Sequence, residues 1–370
     1  MTDEQRLIPA LFDGERLRQA RLYRGLRKQE VASLLNLTAA SVGQYEQGKI
    51  RPSSSTLAKL ALALGFPPQF FERGRPLGRM PADQAHFRSL RSTSKLDRDR
   101  LLVRLELLSE VVSHVEQHVR LPVCDLPTDL PPLLDGDQDA VIEDAAMNLR
   151  DRWELGRGPI DSVVRLVERH GVLVIRPTLG APGVDAFSTA ALARPMLVLS
   201  KDKDDAARSR FDATHELAHL LHHHDVEPGS AWVERQANRF AAAFLMPADA
   251  LLKELPPRMS WPAYFQLKQR WRVSLAALLY RSKTLGRLSS DGYLRAQIFL
   301  RRQGWHLAEP VNIGVPEEPV LLFKALELMR TQLGVGIEQL ASEICVPPEE
   351  LRSLIADVLP GDAERPVVPV

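Results

Sequence analysis

Only two cysteines, Cys124 and Cys345, occur in the 370 residues. They lie far apart and outside any metal-type spacing, which excludes a disulfide framework and a thiolate zinc site. Net charge is nearly absent too, at +1, so the overall balance says little about partners. Its distribution says more: residues 1–79 carry roughly six net positive charges, and the remainder is mildly acidic. No uninterrupted apolar run is long enough to span a bilayer. The N-terminus, Met1-Thr2-Asp3-Glu4-Gln5-Arg6, begins acidic and lacks the apolar core of a secretory signal. The expectation is a cytoplasmic chain with no membrane partner. What is present, 45% hydrophobic and 26% charged residues, is ordinary for a globular protein, and the length suggests two or three domains.

Within an apolar, helix-compatible run over 211–222 stands Thr214-His215-Glu216-Leu217-Ala218-His219-Leu220. At 100° per residue His215 and His219 fall one turn apart on the same face, so both imidazoles reach one metal ion while Glu216 flanks them. Zinc held by two neutral imidazoles needs a third protein ligand and an open position for water, whose proton Glu216 is placed to take. The best candidate for the third ligand is Glu234, in the first turns of a second helix that Pro247 stops; Phe240, Ala241, Phe244 and Leu245 repeat in it at helical spacing. Asn238, one turn further on, is placed to hydrogen-bond a ligating histidine and fix its tautomer. The three fixed letters of the motif arise by chance in roughly one or two chains of this length per hundred, so the paired helices matter as much as the motif. His222, His223 and His224 are a rival ligand source. The metzincin continuation, however, needs Gly at 222 and His at 225, where this chain has His222 and Asp225. The three are read as a solvated helix end, with their positive form suited to the helix C-terminal dipole.

The segment Thr-His-Glu-Leu-Ala-His-Leu-Leu-His, followed by Glu-Arg-Gln-Ala-Asn-Arg-Phe-Ala-Ala-Ala-Phe-Leu-Met-Pro, resembles the ImmA/IrrE zinc metallopeptidases over roughly 140–300. The resemblance implies cleavage of a transcriptional repressor under stress or induction.

Nearer the N-terminus, residues 12–24 set Leu17, Ala20 and Leu22 among Arg16, Arg18, Arg21 and Arg24, which predicts a first helix with a strongly basic surface. From Lys28 to Glu46 the pattern is that of helix-turn-helix. The small Ala32 lets helices approach, Asn36 suits a left-handed turn, and Val42 packs inward from the next helix. With Gln47-Gly48-Lys49-Ile50-Arg51-Pro52, the apolar Leu57, Leu60, Ala61 and Leu64, and Gly65-Phe66-Pro67, residues 12–72 resemble the XRE/Cro repressors. That implies double-stranded DNA as a partner. Thr38 caps the recognition helix, and Ala39, Ala40, Gly43 and Gln44 take its outward positions. Only Gln44 suits bidentate contact with adenine. Arg27, Lys28, Lys49 and Arg51 are read as phosphate contacts, Lys28 standing where that family usually has Gln.

The stretch His86-Phe87-Arg88-Ser89-Leu90-Arg91-Ser92-Thr93 resembles one found in fusions of these two families. An amphipathic helix over 101–115 reads as bundle core ahead of a dimer seam, and proline-rich 122–134 as a linker. Helices are expected near 141–153 and 160–170, strands at 171–175, 186–188 and 196–199, and an exposed strand edge able to hold an extended peptide. Residues 337–351 look like a second small helical unit whose acidic start argues for packing or interaction.

The expected architecture is mainly α: an N-terminal helix-turn-helix bundle (1–79), a helical connector (80–138), an α+β zincin-like domain with a small sheet (139–300) and C-terminal helices (301–370). The expected protein is a homodimeric DNA-binding regulator with Zn2+ at His215, His219 and Glu234. It cleaves a repressor or itself. The alternative is a non-proteolytic transcription factor whose zincin-like domain is a sensor or dimerisation module.

Overall fold

The computed structural model describes residues 11–74, 80, 94–127, 130, 133–134, 136, 139–180, 185–203, 205–223 and 230–358. The 86–93 stretch and His224 lie outside them.

Four short helices come first: α1 (Gly14–Tyr23), α2 (Lys28–Leu35), α3 (Ala39–Glu46) and α4 (Ser54–Leu64). Their ends follow local chemistry. Asp13, Thr38 and Ser53 cap α1, α3 and α4 by accepting backbone N–H groups, and Asn36 closes α2 in the left-handed conformation at φ 55. Gly14 is required where α1 meets the end of α3, because a Cβ there would lie 2.3 Å from the Tyr45 carbonyl oxygen. The three arginines of α1 and Arg24, which follows it, do not form the expected basic surface. Arg16 and Arg21 are buried, and each of the four meets a carboxylate: Arg16 with Glu110, Arg18 with Glu106, Arg21 with Glu46 and Arg24 with Glu350. The reason is tertiary. α1 lies between α3 and a long helix, α5 (Lys95–Val115), whose Glu106 and Glu110 point at it.

α5 is core. Leu102, Leu105, Leu108, Val112 and Val115 are all buried with the helix-turn-helix residues. Burial stabilises the packing of the helix on the module by roughly 2 kcal/mol for each such side chain, before the entropy of ordering it. The same core takes in α14 (Leu321–Leu328), α15 (Ile337–Glu343) and α16 (Pro348–Ile355), so the C-terminal helices pack beside the first segment of the chain.

Between these parts come α6 (Asp139–Arg152), α7 (Val163–Arg169), β1 (Leu173–Ile175), β2 (Ala186–Thr189), β3 (Met196–Leu199), α8 (Ala206–His222), α9 (Ala231–Leu245), α10 (Ala248–Glu254), α11 (Trp261–Trp271), α12 (Leu275–Thr284) and α13 (Ser290–Arg302). The strands form one sheet in the order β1-β3-β2, with β1 parallel and β2 antiparallel to β3. This sheet divides two hydrophobic cores. Leu173, Ile175, Phe187, Met196 and Val198 face the first core; Val174, Ala186, Leu197 and Leu199 face the second, which α6 to α13 fill. Covered on both faces, the strands are apolar at nearly every position, as buried strands are. The exposed strand edge expected from the sequence is not found among the described residues: every residue of all three strands is buried. Part of the proline-rich stretch also packs inward, with Leu133 buried in the second core.

Candidate metal centre and nucleic-acid surface

α8 carries the histidine motif and packs on α7, α9, β2 and β3. Asp205 caps its start, and the buried Arg210 anchors its first half by donating to the Ile160 and Asp161 carbonyls and pairing with Glu317. α9 crosses alongside, with Glu234 in its first turn. His215, His219, Glu234 and Asn238 are thereby brought together.

Hydrogen bonds decide which nitrogens carry protons. Asn238 Oδ1 lies 3.2 Å from His215 Nδ1, so in the neutral ring that a metal requires, Nδ1 donates and His215 Nε2 presents the lone pair. Gln236 Nε2 donates to the Leu134 carbonyl at 2.6 Å, which turns Gln236 Oε1 toward His223 Nε2 at 3.1 Å. His223 therefore donates through Nε2 and accepts through Nδ1, 3.1 Å from His219 Nδ1. His219 then also presents its Nε2 lone pair, 3.0 Å from that of His215. The Glu234 carboxylate faces both, 3.5 Å from His215 Nε2 and 4.0 Å from His219 Nε2. Three electron-pair donors thus converge on one point, an arrangement that a bound cation relieves and neutral imidazoles alone do not. The donor set of two imidazoles and one carboxylate fits a metal ion of the zinc type with coordination left open.

Glu216 sits beside this point, buried, and accepts a 2.7 Å hydrogen bond from Ser188 Oγ on β2. Burial pushes its carboxyl up to about 7, against the pull of the His215 charge and of the Ser188 bond. At His215 burial opposes the charged form, but the carboxylates of Glu234, Glu216 and Asp212 outweigh it and raise its pKa. The pocket favours positive charge. Asp212, one turn before Glu216, is raised to about 6, chiefly by burial.

Two features depart from the sequence expectation here. His222 and His223 are not a solvated helix end: they are 1% and 0% exposed, because α8 turns its last residues into the junction with α9. Ser188 and Gln236 also join the site, as does His223 in a supporting role, and sequence reasoning misses all three. The spacing 215, 219, 223 holds a signal for His223, three histidines on one helical stripe; nothing in the sequence marks Ser188.

In the helix-turn-helix, Thr38 caps α3 by accepting from Ser41 N at 3.1 Å, Ala40 and Gln44 are exposed and Ala39 is half-buried. Gly43 is buried instead of facing outward, with the Lys28 side chain lying over it. Lys28 Nζ is 3.3 Å from Glu46, so its charge is partly committed within the fold. Arg27, Lys49 and Arg51 are exposed.

Residues 14–73 match the family model of a helix-turn-helix domain, and residues 167–283 match that of the peptidase M78 family, described as an IrrE N-terminal-like domain. The chain carries one segment similar to each of these families, and each match covers less than half of it. Over 61 residues it is 39% identical to the SPbeta prophage-derived uncharacterized HTH-type transcriptional regulator YonR of Bacillus subtilis (strain 168), covering 16% of this chain and 56% of that relative. The chain thus spans little more than half the length of that relative. It carries a helix-turn-helix-like segment and an IrrE-like segment in one chain. Among the described residues no helix is long and apolar enough to cross a membrane.

Proposed function

We propose that this IrrE-like helix-turn-helix protein is a cytoplasmic transcription regulator that binds double-stranded DNA as a homodimer and hydrolyses a peptide bond at zinc held by His215, His219 and Glu234. The observation that carries the reading is the pair of Nε2 lone pairs 3.0 Å apart before the Glu234 carboxylate. Zinc, when bound there, supplies a Lewis acid for the scissile carbonyl and makes water acidic enough to attack near neutral pH. Glu216 takes the proton of the attacking water and hands it to the leaving amine, acting as base and then as acid. Ser188 fixes the Glu216 carboxylate from β2. Asn238, and His223 with Gln236, fix the two imidazoles. The substrate we propose is a repressor, brought near by shared DNA, or a second copy of this chain; release of repression under stress is the outcome.

Glu216→Gln should retain zinc and lose cleavage, whereas His215→Ala should lose both. Metal analysis of the purified variants, with fragment mapping by mass spectrometry on candidate repressors bound to operator DNA, checks this. A wild-type protein purified without chelators and free of zinc would sink the proposal. One observation favours a second reading, the non-proteolytic sensor: every residue of the sheet beside Glu216 is buried, leaving no open strand for a peptide among the described residues. Zinc retained in wild type, with no fragment that is missing from the Glu216→Gln control, selects that reading.

A further inference from the structure

A second metal-ligand group lies in the other core's territory. His114, at the end of α5, and His118, four residues on in the turn that prolongs it, share one face; Glu343 ends α15 opposite. One ligand atom from each lies within 4.8 Å of the other two. His114 Nε2 is 2.6 Å from Glu343 Oε2, and the two histidine rings are 5.2 Å apart. Gln339 Nε2 donates to the other Glu343 oxygen at 3.0 Å, which holds the carboxylate in place with Oε2 toward the histidines. A simple ion pair would need only His114 and Glu343. His118 completes a donor set that an ion pair does not use, and among the described residues its ring makes no hydrogen bond.

We propose that His114, His118 and Glu343 form a second site for a divalent transition-metal ion. Two imidazoles and a carboxylate suit borderline ions such as Zn2+, Co2+, Ni2+ and Cu2+ over Ca2+ or Mg2+, which take oxygen cages. His118 and Glu343 are exposed and His114 half-buried, so solvent fills the remaining coordination positions. Its effect is to tie α5 to α15. Because α5 holds the arginines of α1 through Glu106 and Glu110, an ion here steadies the seat of the helix-turn-helix, and metal availability is read by the regulator away from His215 and His219.

The test uses the full chain, without a histidine tag, carrying His215→Ala and His219→Ala so that the first site is absent. Equilibrated with Zn2+ and freed of excess, this protein should retain one equivalent, and its unfolding temperature should rise with Zn2+ concentration. With Co2+ it should show visible absorption. Adding His118→Ala should remove the equivalent, the absorption and the thermal rise; adding Glu343→Gln, which keeps the side chain's shape, should weaken all three at least tenfold in metal concentration. His118 is exposed, so its replacement leaves the fold intact, and circular dichroism verifies that. Absence of retained metal in the two-histidine variant, or retention undiminished by His118→Ala, overturns the proposal.

Discussion

His223 shows how a residue with no direct part in a reaction is set by hydrogen-bond arithmetic. Its Nδ1 accepts from His219 only because its Nε2 donates to Gln236, whose amide is oriented by the Leu134 carbonyl. Break that relay and His219 loses its reason to present Nε2 to the metal point. We expect His223→Phe, similar in bulk and unable to accept, to lower zinc affinity about 10–100-fold while leaving the motif residues untouched, and Asn238→Ala to act similarly through His215. Competition with a chelator of known affinity measures both; unchanged affinity would reduce the relay to packing. The candidate ligands themselves are legible in the sequence, because helix pitch pairs His215 with His219 and the start of the next helix supplies Glu234. The state of His223 is not. Whether a histidine at a helix end is wet or dry depends on where the following chain returns, and Gln236, thirteen positions away, is what dries it.

At the scale of elements, buried arginines join the helices. Arg16, Arg150, Arg176, Arg210 and Arg281 are each at most 1% exposed, and each binds carboxylates or carbonyls contributed by another part of the chain. The sequence displays the arginines of α1 but not their partners, since Glu106, Glu110 and Glu350 are up to several hundred residues distant; charge counted within residues 1–79 therefore overstates what reaches solvent. Removing one partner of such a pair strands a buried charge. Glu110→Ala should cost about 3–5 kcal/mol in denaturant unfolding, and Arg16→Met added to Glu110→Leu should recover most of the loss. A clasp of another kind holds α14, where Glu168 accepts the Val320 and Leu321 N–H groups at 3.0–3.1 Å. Burial pushes its carboxyl up from 4.5 to about 7, although those same N–H groups pull it down. A raised folded-state pKa means that the stabilisation is complete below about pH 4.5 and is lost as pH rises through about 7. Stability should accordingly fall by up to about 3 kcal/mol between pH 5 and 8, and Glu168→Gln, neutral throughout, should flatten that slope. Thermal unfolding across the range tests it, and an equally steep slope in the variant would assign the pH dependence elsewhere.

Across the whole molecule, segment 317–358 touches both functional halves: Glu317 pairs with Arg210 on the motif helix, and Glu350 with Arg24 beside the helix-turn-helix. The two halves are therefore packed into one body around the sheet, which the sequence, read as a string of separate domains, does not disclose. This packing also limits the surface open to the proposed DNA partner. With the α1 arginines consumed internally and Lys28 shared with Glu46, the exposed cations flanking α3 are Arg27, Lys49 and Arg51, near the exposed Gln44. Each neutralised phosphate contributes about −0.9 to the slope of log affinity against log salt. Three contacts predict a slope of about −3 for one subunit and about −5 to −6 for a symmetric dimer on a palindromic site, so the slope itself reports the assembly that binds. Lys49→Ala should weaken binding on all sequences alike and flatten the slope by about 1 per subunit. Gln44→Ala should leave the slope alone and relax the preference for one operator over its variants, because an amide reading an adenine edge carries sequence information and no charge. Salt-titrated binding on operator and scrambled duplexes separates the two. A steeper slope than three contacts per subunit allow would place further cations on the DNA, and indifference to both substitutions would show that α3 does not enter the groove.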